Sequence, residues 1–215
     1  LKVFIDLFCG LGGASQAFDE HPGWKTIKID NNPDLIPHVH GMILADVHDV
    51  QNILNIITAL LWEHTDEITQ IVIWASPPCT EFSLANPDRP EEPDMRLLEN
   101  TMEIIRWMLT GEDTSKMNPL WGIENVKGAI PFFDDELERP WHQRIGPIYL
   151  WGTIPMIDFI DAHHREHKKT DKGAWTRGSR ALRANLRAMV PYAVSRGLLD
   201  SLEHQTSLTD FERLP

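Results

Sequence analysis

An α/β domain, with a mostly parallel central sheet flanked by helices, is what this chain predicts, and three observations carry that expectation. Short apolar runs recur along the sequence, each stopping at a polar or glycine-rich turn. The stretches between them carry apolar residues at helical spacing. The residues able to do chemistry fall at the carboxyl ends of the runs, the edge where open α/β sheets bind ligands. Strand ends are expected at about residues 7, 29, 45, 75, 124 and 151, joined by right-handed crossovers.

The first run is Val3 to Phe8. Cys9-Gly10-Leu11-Gly12-Gly13 follows it, and a helical stretch begins at Ala14. Strand, glycine turn and helix open a nucleotide-binding unit, because glycines let backbone approach a ligand and a helix start offers free N–H groups. The second run, Trp24 to Ile29, ends in Asp30, and the third, Met42 to Ala45, ends in Asp46-Val47. An acid after the second strand suits ribose hydroxyls, and one after the third could accept from an adenine amino group. Either Asp alone reads equally as a helix cap or turn residue.

The fourth run, Ile71 to Ala75, leads through Ser76 to Pro77-Pro78-Cys79-Thr80-Glu81-Phe82-Ser83. Pro-Pro ends the strand abruptly and presents the thiol at the sheet edge. Cys79 is either a nucleophile, strong once its pKa is lowered, or a buried structural cysteine. A loop rich in Pro, Asp and Glu spans Asn86 to Asp94, and a helix is expected from Met95 to Leu109. The next run, Leu120 to Ile123, ends in Glu124-Asn125-Val126. A buried Glu there would have a raised pKa and could donate a proton, or the pair could cap the next helix. Trp62, Trp107 and Trp121 sit in apolar patterns and are expected in the core.

These pieces, in this order, resemble the cytosine-C5 DNA methyltransferases: Asp6-Leu7-Phe8-Cys9-Gly10-Leu11-Gly12-Gly13, Asp30, Asp46-Val47, Pro77-Pro78-Cys79 through Ser83, and Glu124-Asn125-Val126. The resemblance covers roughly the first two thirds of the chain and implies a Rossmann-like S-adenosylmethionine-dependent methyltransferase fold. It implies that Phe8, Gly10, Leu11, Gly12, Asp30, Asn31, Asp46, Val47 and Pro77 hold S-adenosylmethionine. Cys79, presented by Pro78, would add to C6 of cytosine, Glu124 would engage N3 and the amino group, and Asn125 would support the Pro-Cys loop. DNA, with the base flipped from its stack, is the expected partner. The same chemistry on transfer RNA or a free cytosine nucleotide is the alternative, as is a binding-only relic.

The resemblance also implies nucleic-acid contacts by Ser83, Arg96, Gln143 and Arg144. Two departures accompany it. Gln143 to Gly152 carries Ile145 and Pro147 where the family has two arginines, leaving Arg139 or Arg144 as substitutes. The family's recognition domain has no counterpart of ordinary length. The expected organisation is a catalytic and cofactor domain over 1–153, a short basic segment over 154–186, and a helix packing back over 187–215. Small phage-type and provirus-type members look like this, and a partner subunit for recognition is a further option.

The chain of 215 residues carries a net charge of −12, awkward for a protein meeting phosphates. Residues 163–187, however, hold eight cations against two acids. Lys168, Lys169, Arg177 and Arg180 in this strip are candidate nucleic-acid contacts, with Trp175 placed to stack on a base. A solvated surface segment is the plainer reading of the same strip. No metal site is expected: His163, His164 and His167 lack a Cys or carboxylate partner and lie among cations. No apolar run is long enough for a membrane, and two cysteines form no disulfide framework, which together suggest a reducing cytoplasm.

Overall fold

The protein is described as a computed structural model covering residues 1–62, 64–157 and 180–211. Its strands are β1 (Lys2–Leu7), β2 (Trp24–Asp30), β3 (Met42–Leu44), β4 (Gln70–Ala75), β5 (Pro119–Val126), β6 (Gln143–Ile145) and β7 (Ile148–Gly152). They form a seven-stranded sheet in the order β3-β2-β1-β4-β5-β7-β6. β1 to β5 are mutually parallel, and β7 runs antiparallel to both its neighbours. The architecture is therefore mixed α/β on a mostly parallel sheet. The central strands are apolar on both faces because helices cover both. Strand order reverses between β1 and β4, which opens a crevice at their carboxyl ends.

The helices are α1 (Gln16–Asp19), α2 (Val50–Trp62), α3 (Arg96–Thr110), α4 (Ile130–Glu136), α5 (Arg180–Ala188) and α6 (Tyr192–Phe211). One core, holding Ile5, Leu7, Ile73 and Ile123, takes the apolar faces of α2, α3 and α4. The other, holding Phe4, Val72, Trp74 and Leu150, is covered by α1 and by Val194, Leu198, Leu199 and Leu202 of α6. Polar contacts fix α6 there. Ser195 Oγ donates to the Ala14 carbonyl at 2.6 Å and accepts from Ala17 N at 3.0 Å. Glu203 accepts from Trp24 Nε1 at 2.8 Å and pairs with Lys2 at 3.0 Å.

Two expectations are corrected. Trp62 is 72% exposed rather than core. Ile53, Ile57 and Leu61 form the buried face of α2, and Trp62, one residue further round, points away from it. The helix after the glycine turn is a single turn starting at Gln16 and not at Ala14, because residues 10–15 are used in turns. Trp107 is half-buried against the core, and Trp121 is buried. No helix among the described residues is long and apolar enough to cross a membrane.

Candidate active site at the carboxyl edge of the sheet

The glycine turn leaves β1 by a tight path. Phe8, Gly10 and Gly12 all have left-handed backbone, at φ 60°, 53° and 74°. Phe8 is the costly one, since a side chain disfavours that region by about 1–2 kcal/mol. Cys9 N still donates to the Ile29 carbonyl at 3.0 Å, and Gly12 N closes the turn on the Cys9 carbonyl at 2.7 Å. Leu11 packs against the small cluster of Cys9, Leu35 and Val39. Burial pushes the Cys9 thiol well up, with the negative charges of Asp6 and Asp30 adding to it, so Cys9 is a packed, protonated residue.

Both acids beyond β2 and β3 bind backbone. Asp30 accepts from Gly10 N and from Asn32 N, each at 2.9 Å, and so staples the glycine turn to the end of β2. Asp46 accepts from His48 N at 2.9 Å and from Asn31 Nδ2 at 3.3 Å. The His48 amide, more than any other group, holds the Asp46 carboxyl below its usual range. The Val47 carbonyl is taken by Asn100 Nδ2 of α3 at 3.1 Å. Asp30 and Asp46 thus sit where strand-end acids were expected and also do the work of turn residues. Both oxygens of Asp30 and Oδ2 of Asp46 each keep a second lone pair for a ligand, whereas Asp46 Oδ1 faces both the amide and the ring Nδ1 of His48.

Beneath the turn lies Asp6, 1% exposed, with Oδ2 lacking a hydrogen-bond partner among the described residues. Burial raises its pKa to about 7, against the pull of Ser15 and Lys28. Lys28, itself buried, is paired with Asp19 at 2.8 Å.

The loop after β4 places the thiol. Pro77 is buried, Pro78 is exposed and Cys79 is partly buried. The Cys79 carbonyl accepts from Phe82 N at 3.1 Å and from Ser83 N at 2.9 Å, which turns the chain at once. Phe82 anchors that turn edge-on against Phe133, ring centres 5.1 Å apart. Asn125 Nδ2 donates to the Pro77 carbonyl at 3.0 Å. In the sheet Ala75 pairs with Ile123, so the next residues, Ser76 and Glu124, lie side by side.

Glu124 and Cys79 meet electrostatically. Burial lifts the Glu124 carboxyl to about 7, with Ser76 pulling it down by a hydrogen bond. Burial first, then the Glu124 charge, pushes the Cys79 thiol above its ordinary value. When Glu124 holds a proton, the charge that opposes a Cys79 thiolate is gone.

A cavity of about 260 Å³ borders this loop, walled by His48, Pro77, Pro78, Phe82, Leu97 and Phe133. Arg96, at its rim, is exposed but bound to Asp94 through Nε at 2.9 Å. Asp94 also accepts from Arg96 N at 3.0 Å, which is the helix-start role, and its own N donates to Glu81 at 2.6 Å. Ser83 Oγ accepts from Ala85 N at 3.3 Å and holds its own turn.

The remaining sequence candidates diverge. Gln143 spends its amide on Ile157, donating to the carbonyl at 2.7 Å and accepting from the nitrogen at 2.8 Å. Arg139 donates to the Gly152 carbonyl at 2.8 Å and lies over Trp121, on the amino-terminal side of Glu124. Arg144 pairs with Tyr149, which pairs with Asn125, so it stands level with the site two strands away. Ile145 is buried. Arg180 opens α5, and Lys168, Lys169, Arg177, Trp175 and the three histidines lie outside the described residues. Among the described residues no group of three or more His, Cys, Asp or Glu could hold a metal. Ser76 and Asn100 emerge as site residues only from the fold: the first reads in sequence as a spacer before Pro-Pro, the second as one polar position on a helix.

Comparison with protein families gives no match, and comparison with curated proteins gives none. Among solved structures, the chain is similar to a methyltransferase of Entamoeba histolytica, EhMeth, at 12% sequence identity and a TM-score of 0.42. That similarity covers 73% of this chain and 54% of the Entamoeba protein, so the chain spans about half of its length.

Proposed function

We infer that this chain is a methyltransferase that acts on C5 of cytosine in DNA through a covalent adduct at Cys79. The observation that carries the reading is the pairing of a strand-end thiol with a half-buried Glu124 whose carboxyl is raised to about 7, next to Asn125, which holds the Pro77 carbonyl of the thiol's loop. The residues present fit S-adenosylmethionine: the left-handed turn Phe8–Gly12 admits close backbone approach, Asp30 and Asp46 keep acceptor capacity, and the crevice lies where strand order reverses. The fully buried Oδ2 of Asp6 beneath the turn has no hydrogen-bond partner among the described residues. When bound, that cofactor supplies an electrophilic methyl group.

The chain's own residues do the rest. Glu124, protonated below about pH 7, donates its proton toward cytosine N3 as Cys79 Sγ bonds to C6. The Cys79 thiol gives up its proton to solvent water as it attacks, and the ring takes the sulfur electron pair and becomes nucleophilic at C5. Asn125 holds the Pro77 carbonyl and so keeps Cys79 in place during attack. After methylation, solvent water takes the C5 proton, cleavage of the Cys79–C6 bond restores the aromatic ring and the thiolate, and the N3 proton returns to Glu124. Nucleoside mass spectrometry after incubation with S-adenosylmethionine tests the reading on duplex DNA, single-stranded DNA, transfer RNA and free cytosine nucleotides in parallel. The expected product is 5-methylcytosine in duplex DNA; product confined to another pool reassigns the acceptor, and none anywhere overturns the reading.

A further inference from the structure

Resting on the assignment of Glu124 above, we propose that Ser76 is the positioning residue of this site: its hydroxyl proton, aimed by the Trp74 indole, orients the Glu124 carboxyl and stabilises its anionic form. The argument is geometric. Trp74 is 1% exposed, and an indole N–H can only donate, so it must find an acceptor. It finds Ser76 Oγ at 2.9 Å. The hydroxyl thus receives the indole hydrogen on one lone pair, and its single proton is left to point elsewhere. Ser76 cannot drift from this role, because Ser76 N donates to the Leu7 carbonyl at 3.2 Å and continues the β4–β1 ladder by one residue. The adjacent position across the sheet belongs to Glu124, which sets the Ser76 hydroxyl beside its carboxyl, and Ser76 draws that carboxyl down from where burial alone would hold it.

The neighbours of Glu124 leave this bond decisive. β7 offers Leu150 opposite it, an apolar side chain. Cys79, on the loop after β4, is the titratable group that feels its charge. Among the described residues no cation contributes to the state of Glu124; burial raises its pKa and Ser76 alone opposes the rise. A carboxyl that only suffers burial would hold its proton too firmly to exchange it. With Ser76 it is poised near 7, where it can both give and regain a proton.

The test is a carboxyl carbon NMR titration of the full chain, without substrate, with Glu124 assigned by loss of its signal in Glu124→Gln. Ser76→Ala is expected to move the Glu124 midpoint upward by about one pH unit. Ser76→Thr, which keeps the hydroxyl, is expected to leave it in place. Methyl-transfer rate against pH is measured on the same proteins, and its descending limb should move with the midpoint in Ser76→Ala. An unmoved midpoint in Ser76→Ala, an equal displacement in Ser76→Thr, or a rate profile indifferent to the midpoint overturns the proposal. The titration needs no turnover, so absence of transfer by the unaltered protein would sink the enzymatic reading separately.

Discussion

Asn125 and Pro77, 48 residues apart in sequence, are joined by a buried amide-to-carbonyl hydrogen bond of 3.0 Å, which makes the end of β5 the support of the loop carrying Cys79. Asn125 Oδ1 is also used, accepting from Val126 N at 2.9 Å. Asn125→Ala leaves the Pro77 carbonyl without its partner and should cost about 1–3 kcal/mol. Urea unfolding should show a lower midpoint at unchanged slope. Transfer should fall further than the folded fraction does, because the thiol loses its placement; a loss of rate explained by unfolding alone contradicts this.

Cys79→Ala should abolish transfer while S-adenosylmethionine still raises the melting temperature. The thiol lies on the loop after β4 and the expected cofactor turn lies after β1. Turnover retained by the variant removes Cys79 from the mechanism, whereas loss of the thermal shift would mean that the loop and the cofactor crevice are one unit.

Asp6 makes stability depend on pH. Its carboxyl ionises at about 7 in the folded protein against 3.8 ordinarily. Between these values the folded state holds a proton that the unfolded state has released, so stability falls as pH rises through that window. Glu124 acts in the same direction, from 4.5 to about 7. Asp6→Asn should therefore raise the melting temperature by about 5 °C or more at pH 8 and change it little at pH 4. A gain of equal size at both pH values would show that the carboxyl is not protonated in the fold.

Arg96 is held by Asp94 and must leave it to meet a phosphate. Asp94→Ala should free the guanidinium and strengthen binding of a cytosine-containing oligonucleotide several-fold at low salt. Arg96→Ala should weaken binding and reduce the salt slope by about one. Fluorescence anisotropy over a salt series reads both. If Asp94→Ala and Arg96→Ala change affinity alike, Arg96 is a helix-start residue and nothing more.

Much of the layout of the sheet edge is legible because strand ends announce themselves. Pro77-Pro78 stops β4 where the apolar run stops, and the Glu124-Asn125 pair follows an apolar run in the same way. Trp62 was misjudged because a tryptophan in an apolar helix says nothing about its angle relative to the buried face. The fate of Gln143 could not be read at all, since its partner, Ile157, is fixed by the return of the chain after β7 and not by local pattern. The thiol pKa was the subtler matter. Nothing in Pro-Pro-Cys foretells that burial and a neighbouring Glu124 hold Cys79 above its ordinary value.

The seat of the glycine turn is built from segments far apart in sequence. A Cβ on Gly13 would collide with the Val190 carbonyl, and Ser195 binds Ala14 across 181 residues of sequence. During synthesis β1 and its turn emerge well before their support, because Ser195 follows Ala14 by 181 residues. The nascent chain must therefore wait with that turn unsupported and the apolar flank of β1 uncovered. Closure of so long a loop predicts slow final folding and a ribosome-bound intermediate exposed to chaperones.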